Sequence, residues 1–220
     1  SYQWDYDEKD SQMKWTKDGA RVPIKSWCDP VENGAMKQAQ NLAALSVTFK
    51  QVALMPDCHV GYGMPIGGVI ACQDAVIPNA VGVDIGCGMC AVKTHLETVD
   101  RETLKKIRGA IKAAVPVGFE HHKTRQDERN MPDKGFPRGV ICEREYKHAL
   151  TQIGTLGGGN HFIEIQKGSD GFLWVMVHSG SRNLGKQVAD HYNRIAVRLN
   201  EKWNSPVPHA HELAYLPEES

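Results

Sequence analysis

The sequence lacks a net charge of either sign, a long apolar run and a disulfide-rich cysteine pattern. Lys and Arg total 26 and Asp and Glu total 26, so net charge does not favour nucleic-acid binding, although a local basic patch is compatible. No apolar run reaches membrane-spanning length, and the first residues show no signal-peptide pattern. We therefore expect a soluble cytoplasmic protein without a membrane partner.

Six cysteines are too few for a disulfide framework in a chain of 220 residues, and they do not form the two C-x-x-C pairs of a zinc ribbon. Cys87 and Cys90 form a single C-x-x-C. A redox motif is not favoured here, because thioredoxin-type pairs open a helix whereas Cys90 leads into a strand-like segment.

The order of short strands and helices lacks regular βαβ alternation and predicts an α+β fold with mixed or antiparallel sheets flanked by helices. The predicted helices are 31–46, 101–115 and about 184–203. The predicted strands are 51–56, 69–73, 75–78, 88–96, 161–167 and 172–178. A glycine-rich loop is expected over 57–68 and a charged, solvated loop over 118–147. Residues 1–12 are interpreted as an extension, a cloning remnant or an edge strand.

Local signals support two of these helices and give the third an apolar face. Asp29 and Pro30 are start signals for the first helix, and Asp100 is the expected N-cap of the second. Apolar residues recur at helical spacing in the second helix at Leu104, Ile107, Ile111 and Val115. The corresponding face of the third helix consists of Val188, Tyr192, Ile195 and Leu199.

Asp84 and Cys87 stand three residues apart in the glycine-rich stretch AVGVDIGCGMC, residues 80–90. A strand would direct residues three apart to opposite faces, so only a turn allows the two side chains to converge. Gly86 and Gly88 would supply the conformational freedom for that turn. The stretch is therefore either a glycine turn that contains a thiol or half of a metal site.

Two histidines are the candidate partners. If Ser169 and Asp170 form a two-residue turn, His161 lies directly opposite His178, with Cβ atoms roughly 5 Å apart. A one-residue slip would place the imidazoles on opposite faces of the hairpin, so the pairing depends on the register. Two such histidines either share a metal or are ordinary polar strand ends.

The flanks of both histidines carry residues of types that could bind phosphate. Before His161, the segment LGGGN (156–160) is either an anion-binding nest or a glycine-rich hairpin entry. After His178, Ser181 could cap the following helix, whose N-terminus would suit a phosphate. Arg182 could hold that phosphate bidentately or form a surface ion pair.

The candidate ligand set combines a carboxylate, a thiolate and two imidazoles, from Asp84, Cys87, His161 and His178. Such a mixed site accepts zinc, manganese, iron or cobalt, and spacing does not choose between them. A thiolate beside a carboxylate could also bridge two ions, which suits phosphoryl or nucleotidyl transfer.

Four stretches then match one family in the same order: MPDCHVGYGMPIGGV, GVDIGCGM, LGGGNHFIEI and VMVHSGSRNLG. Together they resemble the RtcB family of RNA-splicing ligases, from about residue 13 to the end of the chain. The resemblance implies an RtcB-like fold. It also implies joining of RNA ends with a 2′,3′-cyclic phosphate or 3′-phosphate to 5′-hydroxyl ends. The resemblance implies that this activity uses GTP and two Mn²⁺ ions and passes through a guanylyl-histidine intermediate. Some family members also need an archease-type activating protein.

The resemblance also implies roles for individual residues. Asp84 and Cys87 would be metal ligands, with the thiolate bridging both ions, and His161 and His178 would complete the ligands present. The run Asn160–Glu164, which includes Ile163, would bind the nucleotide. In that run Phe162 would stack on guanine, Glu164 would bond its edge and Asn160 would contact phosphate. Arg182 would act near the RNA phosphate.

Family members are longer, and the resemblance places a third histidine ligand and the guanylylated histidine outside this chain. Residues 13–220 are therefore expected to be the N-terminal portion of a single, incomplete catalytic domain. Two alternatives remain open: a non-catalytic metal- or nucleotide-binding fragment, and a dinuclear metallo-phosphoesterase. Asp57 and His59 in PDCH have either a structural or a catalytic role.

Overall fold

The computed structural model describes residues 12–131, 133, 135 and 140–218. The chain divides into two compact units: the first comprises residues 1–82 and 192–220, and the second comprises residues 83–191. Eleven of the twelve residues interpreted as an extension lie outside the described residues. Within the described part, no helix has the length and apolar character that a membrane crossing requires.

The first unit contains a four-stranded mixed sheet, in the order β1-β2-β3-β4. Its strands are β1 (Trp15–Lys17), β2 (Ile24–Ser26), β3 (Thr48–His59) and β4 (Ile66–Cys72). Only β2 and β3 run parallel, and the other neighbours are antiparallel. Helix α1 (Asn33–Ala44) contacts β2 and β3. The side chains buried most completely here are Ile24, Leu42, Val52, Leu54, Ile77 and Leu213.

Smaller elements complete the first unit. A short helix α2 (Pro78–Val81) follows strand β5 (Ala75–Val76), which pairs with β9 (Leu216–Pro217) near the C-terminus. A 3-10 turn covers His209–His211. The predicted strand 75–78 is thus shorter than expected, because Pro78 favours the first turn of a helix.

Two details of the first unit correct the sequence predictions. β3 continues to His59, and register shifts in its pairing with β4 let the ladder resume beyond Leu54. The predicted glycine loop over 57–68 therefore shrinks to the residues between His59 and Ile66. The first helix does not start at Asp29 and Pro30. Glu32 occupies the N-cap position, but its side chain accepts no hydrogen bond from the first turn of the helix. The Glu32 carboxylate instead accepts a hydrogen bond from the Val60 N–H.

The second unit contains a three-stranded antiparallel sheet in the order β6-β8-β7. Its strands are β6 (Gly88–Lys93), β7 (Phe162–Lys167) and β8 (Leu173–Ser179). Its helical elements are α3 (Arg101–Ala114), a 3-10 turn (Glu128–Asn130) and α4 (Ile141–Gln152). Helix α5 (Leu184–Lys202) starts in this unit and ends in the first. The predicted α+β fold is confirmed, whereas one domain over 13–220 stays a prediction.

In the second unit, the sequence predicted the start of helix α3 but not the presence of helix α4. Asp100 caps α3 as predicted, since its Oδ1 accepts a hydrogen bond of 2.9 Å from the Thr103 N–H. The prediction of a loop over 118–147 is wrong at its end, because α4 begins at Ile141 and buries Tyr146 and Leu150 between charged residues. Other parts of that loop (132, 134, 136–139) lie outside the described residues.

Helix α5 buries a different face from the predicted one. Its buried residues are Gly185, Ala189, Ala196 and Asn200, whereas Tyr192 on the expected apolar face is exposed. Glycine and alanine at three of these positions allow the close approach of neighbouring elements, and Asn200 is buried because its side-chain amide donates to the Ala196 and Tyr215 carbonyls.

The β7–β8 hairpin has the register that is slipped by one residue from the one expected for a Ser169–Asp170 turn. Its loop has three residues rather than two, and Gly171 adopts a positive φ of 84° at the last of them. Three-residue loops of this kind place a glycine in the left-handed region. As a result Phe162, not His161, lies opposite His178.

A salt bridge fixes the tip of this hairpin to β6. The Lys93 ammonium lies 2.7 Å from the Asp170 carboxylate and lowers the pKa of Asp170 to about 2, assisted by the Trp174 and Phe172 N–H donors. Because the folded-state pKa lies below the ordinary 3.8, the pairing stabilises the fold above that value and is lost as the pH falls through about 2.

The Asp170 carboxyl should titrate near pH 2 in an NMR experiment, and the midpoint should rise towards 3.8 in Lys93→Met. Lys167→Met is the matched control, because Lys167 bonds the Glu97 carbonyl instead and its loss should leave the titration unchanged. An unchanged midpoint in Lys93→Met would contradict the assignment.

Candidate metal centre

The Asp84–Cys87 segment forms the turn that the sequence predicts. The Cys87 N–H donates to the Asp84 carbonyl over 3.0 Å, and Gly86 has a positive φ of 91°. Gly88 contributes differently from expectation, because it starts β6 without a positive φ. The turn thus ends at Cys87, directly before β6, and leaves the Cys87 side chain at the end of the sheet.

His178 occupies the neighbouring strand β8, opposite Met89 of β6. Its Nδ1 lies 3.2 Å from the Asn160 carbonyl oxygen and its Nε2 lies 2.9 Å from Cys87 Sγ. The carbonyl can only accept, so Nδ1 carries the proton and the Nε2 lone pair faces the thiol. This is the arrangement by which proteins orient a metal-binding imidazole.

His161 reaches the same place from outside the sheet ladder. It precedes β7, so the alternation of the strand does not fix its direction, and the slipped register does not separate the two rings. The ring centroids of His161 and His178 are 5.2 Å apart, with the planes at 79°. His161 Nε2 lies 3.4 Å from Asp84 Oδ2 and 3.8 Å from Cys87 Sγ.

The ligand atoms of Cys87, His161 and His178 all lie within 4.8 Å of one another. Two ligands of one tetrahedral ion, with metal–sulfur and metal–nitrogen bonds of ordinary length, stand about 3.6 Å apart. The distance of 3.8 Å from Cys87 Sγ to His161 Nε2 is close to that value, whereas the 2.9 Å to His178 Nε2 is a hydrogen-bond distance. The donor types, a thiol and two imidazoles converging on one place, fit a transition-metal ion. Asp84 is not one of the three residues in this group, but its Oδ2 lies 3.4 Å from His161 Nε2.

Electrostatics at Cys87 favour the thiol in the absence of a cation. Burial raises the pKa of Cys87, the negative charge of Asp84 raises it further, and the Gly88 N–H lowers it. A divalent cation would reverse this balance, since it stabilises the thiolate directly.

Ser181 positions Asp84. The Ser181 N–H donates to Asp84 Oδ1 over 3.1 Å, and the Ser181 hydroxyl donates to the same oxygen. That hydroxyl also accepts a hydrogen bond of 3.0 Å from the Gly185 N–H in the first turn of α5. Ser181 does bind the start of the helix as predicted, but the anion held beside it is the Asp84 carboxylate.

Arg182 has structural partners that the sequence did not reveal. Its Nε donates to Thr155 Oγ1 over 2.6 Å and its Nη2 donates to the Gly118 carbonyl over 3.0 Å. Burial lowers the pKa of Arg182, although Asp84 opposes this effect. Neither Thr155 nor Gly118 lies in a recognisable motif, so only the fold identifies them. Contact between Arg182 and an RNA phosphate stays a prediction.

The Asn160–Glu164 run presents alternate side chains to the site. Phe162 packs edge-on against the His178 ring with centroids 5.6 Å apart, and Glu164 is exposed on the same sheet face. Ile163 lies opposite Val177 and therefore points to the other face, so only its backbone is available to a nucleotide at this site. Asn160 is exposed and contributes its carbonyl to His178.

Cys90 does not join Cys87. It pairs with Val177 in the β6–β8 ladder, on the face opposite to His178. The two thiols of the C-x-x-C therefore diverge, which agrees with the expectation that it is not a redox motif.

A thiolate, two imidazoles and a carboxylate at one end of a sheet define a candidate transition-metal centre in an α+β protein. The family model described as "tRNA-splicing ligase RtcB" matches residues 38–138 and 134–220. The chain therefore belongs to the RtcB family.

Individual relatives agree with this assignment. The chain is 37% identical to the RNA-splicing ligase RtcB of Escherichia coli K12, an alignment that covers 90% of this chain and 52% of the relative. It is 30% identical to the tRNA-splicing ligase RtcB of Thermococcus kodakarensis, with 99% of this chain and 55% of the relative covered. The chain thus spans about half the length of these curated relatives.

Proposed function

We propose that this chain provides the metal-binding and nucleotide-binding part of an RNA ligase. The ligase would join ends that carry a 2′,3′-cyclic phosphate or 3′-phosphate to 5′-hydroxyl ends, with GTP, two Mn²⁺ ions and a guanylyl-histidine step. The observation that carries the proposal is the convergence of Cys87, His161 and His178 beside the Asn160–Glu164 run.

The distances around the thiol support two cation positions that share Cys87. On one side, His161 Nε2 is close to both Asp84 Oδ2 and Cys87 Sγ. On the other side, His178 Nε2 approaches Cys87 Sγ alone. Asp84, Cys87 and His161 would hold one ion, and Cys87 and His178 would hold the second. The ions would supply positive charge that neutralises the reacting phosphates.

The residues of the chain would orient the nucleotide and the phosphates. Phe162 and Glu164 share the sheet face of His178, so a purine stacked on Phe162 would have its edge towards Glu164. The exposed Asn160 side chain and the glycines before it offer N–H donors for a phosphate. The Asn160 carbonyl would keep the His178 Nε2 lone pair directed at its ligand position.

The proposal is tested with a longer protein that contains this chain and the region expected to hold the guanylylated histidine. This protein is incubated with α-labelled GTP and Mn²⁺, and then with RNA bearing a 3′-phosphate and a 5′-hydroxyl. A stable label on histidine followed by joined RNA is the result expected of a ligase. Binding of two Mn²⁺ ions and GTP without labelling would instead identify a non-catalytic metal- and nucleotide-binding fragment. Release of phosphate from a simple diester without GTP would identify a metallo-phosphoesterase.

Two further expectations accompany the ligase. An archease-type protein would raise the rate of labelling if this chain needs activation, and the protein would be found in the cytoplasm. Labelling with and without the activator, and fractionation of cells, test these expectations separately.

A further inference from the structure

Phe119 is the most exposed large apolar side chain among the described residues, with a relative exposure of 101%. It lies at the tip of a tight turn, in which the Glu120 N–H donates to the Val117 carbonyl over 3.1 Å and Gly118 has a positive φ of 62°. The ring therefore projects from the second unit with both of its faces open.

The backbone beside this ring is held firmly. The Gly118 N–H donates to the Gly157 carbonyl over 2.8 Å, and the Gly118 carbonyl accepts from Arg182. Val117 forms a bridge to Gly157. An aromatic ring on a fixed backbone loses little conformational freedom when a partner stacks on it, which favours a binding role over an accidental exposure.

The same contacts connect Phe119 to the candidate metal centre. Gly157 lies against His161, since a methyl group at Gly157 would stand 2.6 Å from His161 Nδ1. Arg182 follows Ser181, which holds Asp84. The turn that presents Phe119 is thus bonded to both segments that position the metal-ligand candidates.

We propose that Phe119 is a stacking platform for a base of the RNA strand whose end enters this centre; the assignment rests on the proposed function. Exposed polar residues surround the ring in sequence, including Glu120, Lys123 and Arg125. Such surroundings do not suit insertion into a lipid surface. An open aromatic face is what proteins use to stack the bases of single-stranded nucleic acid without reading its sequence, and the exposed cations Lys123 and Arg125 follow within six residues along the chain.

Binding of a short single-stranded RNA with a 3′-phosphate, measured by fluorescence anisotropy, tests this assignment. Phe119→Ala should weaken binding about fivefold to a hundredfold, the range of one lost base stack, whereas Phe119→Trp should retain it. Phe49→Ala is the matched control, because Phe49 is also exposed, at 43%, but lies in β3 of the first unit. A 2-aminopurine near the RNA end should lose fluorescence on binding to the original protein and not on binding to Phe119→Ala.

A measurement of Mn²⁺ affinity shows whether a substitution affects the platform or the metal centre. This affinity should be the same in Phe119→Ala as in the original protein. Equal RNA affinity of both proteins, or unchanged 2-aminopurine fluorescence, would overturn the platform and leave the proposed function intact. Failure of the original protein to bind the RNA at all would overturn both. If Phe119→Ala loses Mn²⁺ affinity as much as RNA affinity, Phe119 has a structural role, and the platform would also be overturned.

Discussion

Replacement of Cys87 by serine is expected to remove metal binding at both proposed positions, with a loss of Mn²⁺ affinity of at least about a hundredfold. Loss of a group that only orients a ligand typically costs 10- to 100-fold. Cys87 is itself a proposed ligand, and its sulfur lies within 3.8 Å of both histidine Nε2 atoms. A hydroxyl keeps the size of the side chain but does not ionise at neutral pH. Titration with Mn²⁺ followed by electron paramagnetic resonance measures the effect.

Cys90→Ser is the control for this substitution. It makes the same chemical change three residues away, on the sheet face opposite to His178, and should leave the affinity unaltered. Cobalt offers a second readout, because a cobalt–thiolate bond gives a charge-transfer absorption that should vanish only in Cys87→Ser. Equal behaviour of the two variants would show that Cys87 does not bind the metal.

The hairpin illustrates what the sequence could and could not predict. Alternating apolar residues around a glycine-containing turn were enough to predict both strands, and the polar ends were enough to identify His161 and His178. The register was wrong by one residue, because a three-residue loop with Gly171 at positive φ resembles a two-residue loop in sequence. The histidines nevertheless meet, since His161 lies beyond the end of the ladder and is free of its alternation.

Contacts between distant segments were the part that the sequence could not predict. The SGSR stretch predicted a residue that binds the start of a helix, and Ser181 fulfils that role. Its hydrogen bonds to Asp84, 97 positions away, depend on how the β6 turn and the end of β8 come together. The partners of Arg182 depend in the same way on the fold, because a threonine hydroxyl and a glycine carbonyl carry no local signal. Local pattern therefore indicated the ligand candidates, and the tertiary structure shows which residues contact them.

Gly180 is the position at which the smallest change should have a large effect. A methyl group there would overlap Asp84 Oδ2 and the His161 ring, and it would stand 2.9 Å from His161 Nε2. Gly180 is not among the glycines with positive φ, so alanine adds no backbone strain and its effect is steric. Gly180→Ala should displace Asp84 or His161 and weaken Mn²⁺ binding by at least about tenfold, the lower end of the effect of disturbing ligand orientation.

Gly88→Ala isolates that steric effect, because a methyl group at Gly88 meets no atom within 4 Å although the residue adjoins Cys87. Both variants should keep the circular dichroism spectrum of the original protein, and only Gly180→Ala should lose Mn²⁺ affinity. If Gly180→Ala binds Mn²⁺ normally, Asp84 and His161 do not jointly hold an ion and the shared-thiolate arrangement is wrong. If Gly180→Ala binds Mn²⁺ normally and Cys87→Ser does not, Cys87 and His178 would be the only proposed ligands that remain.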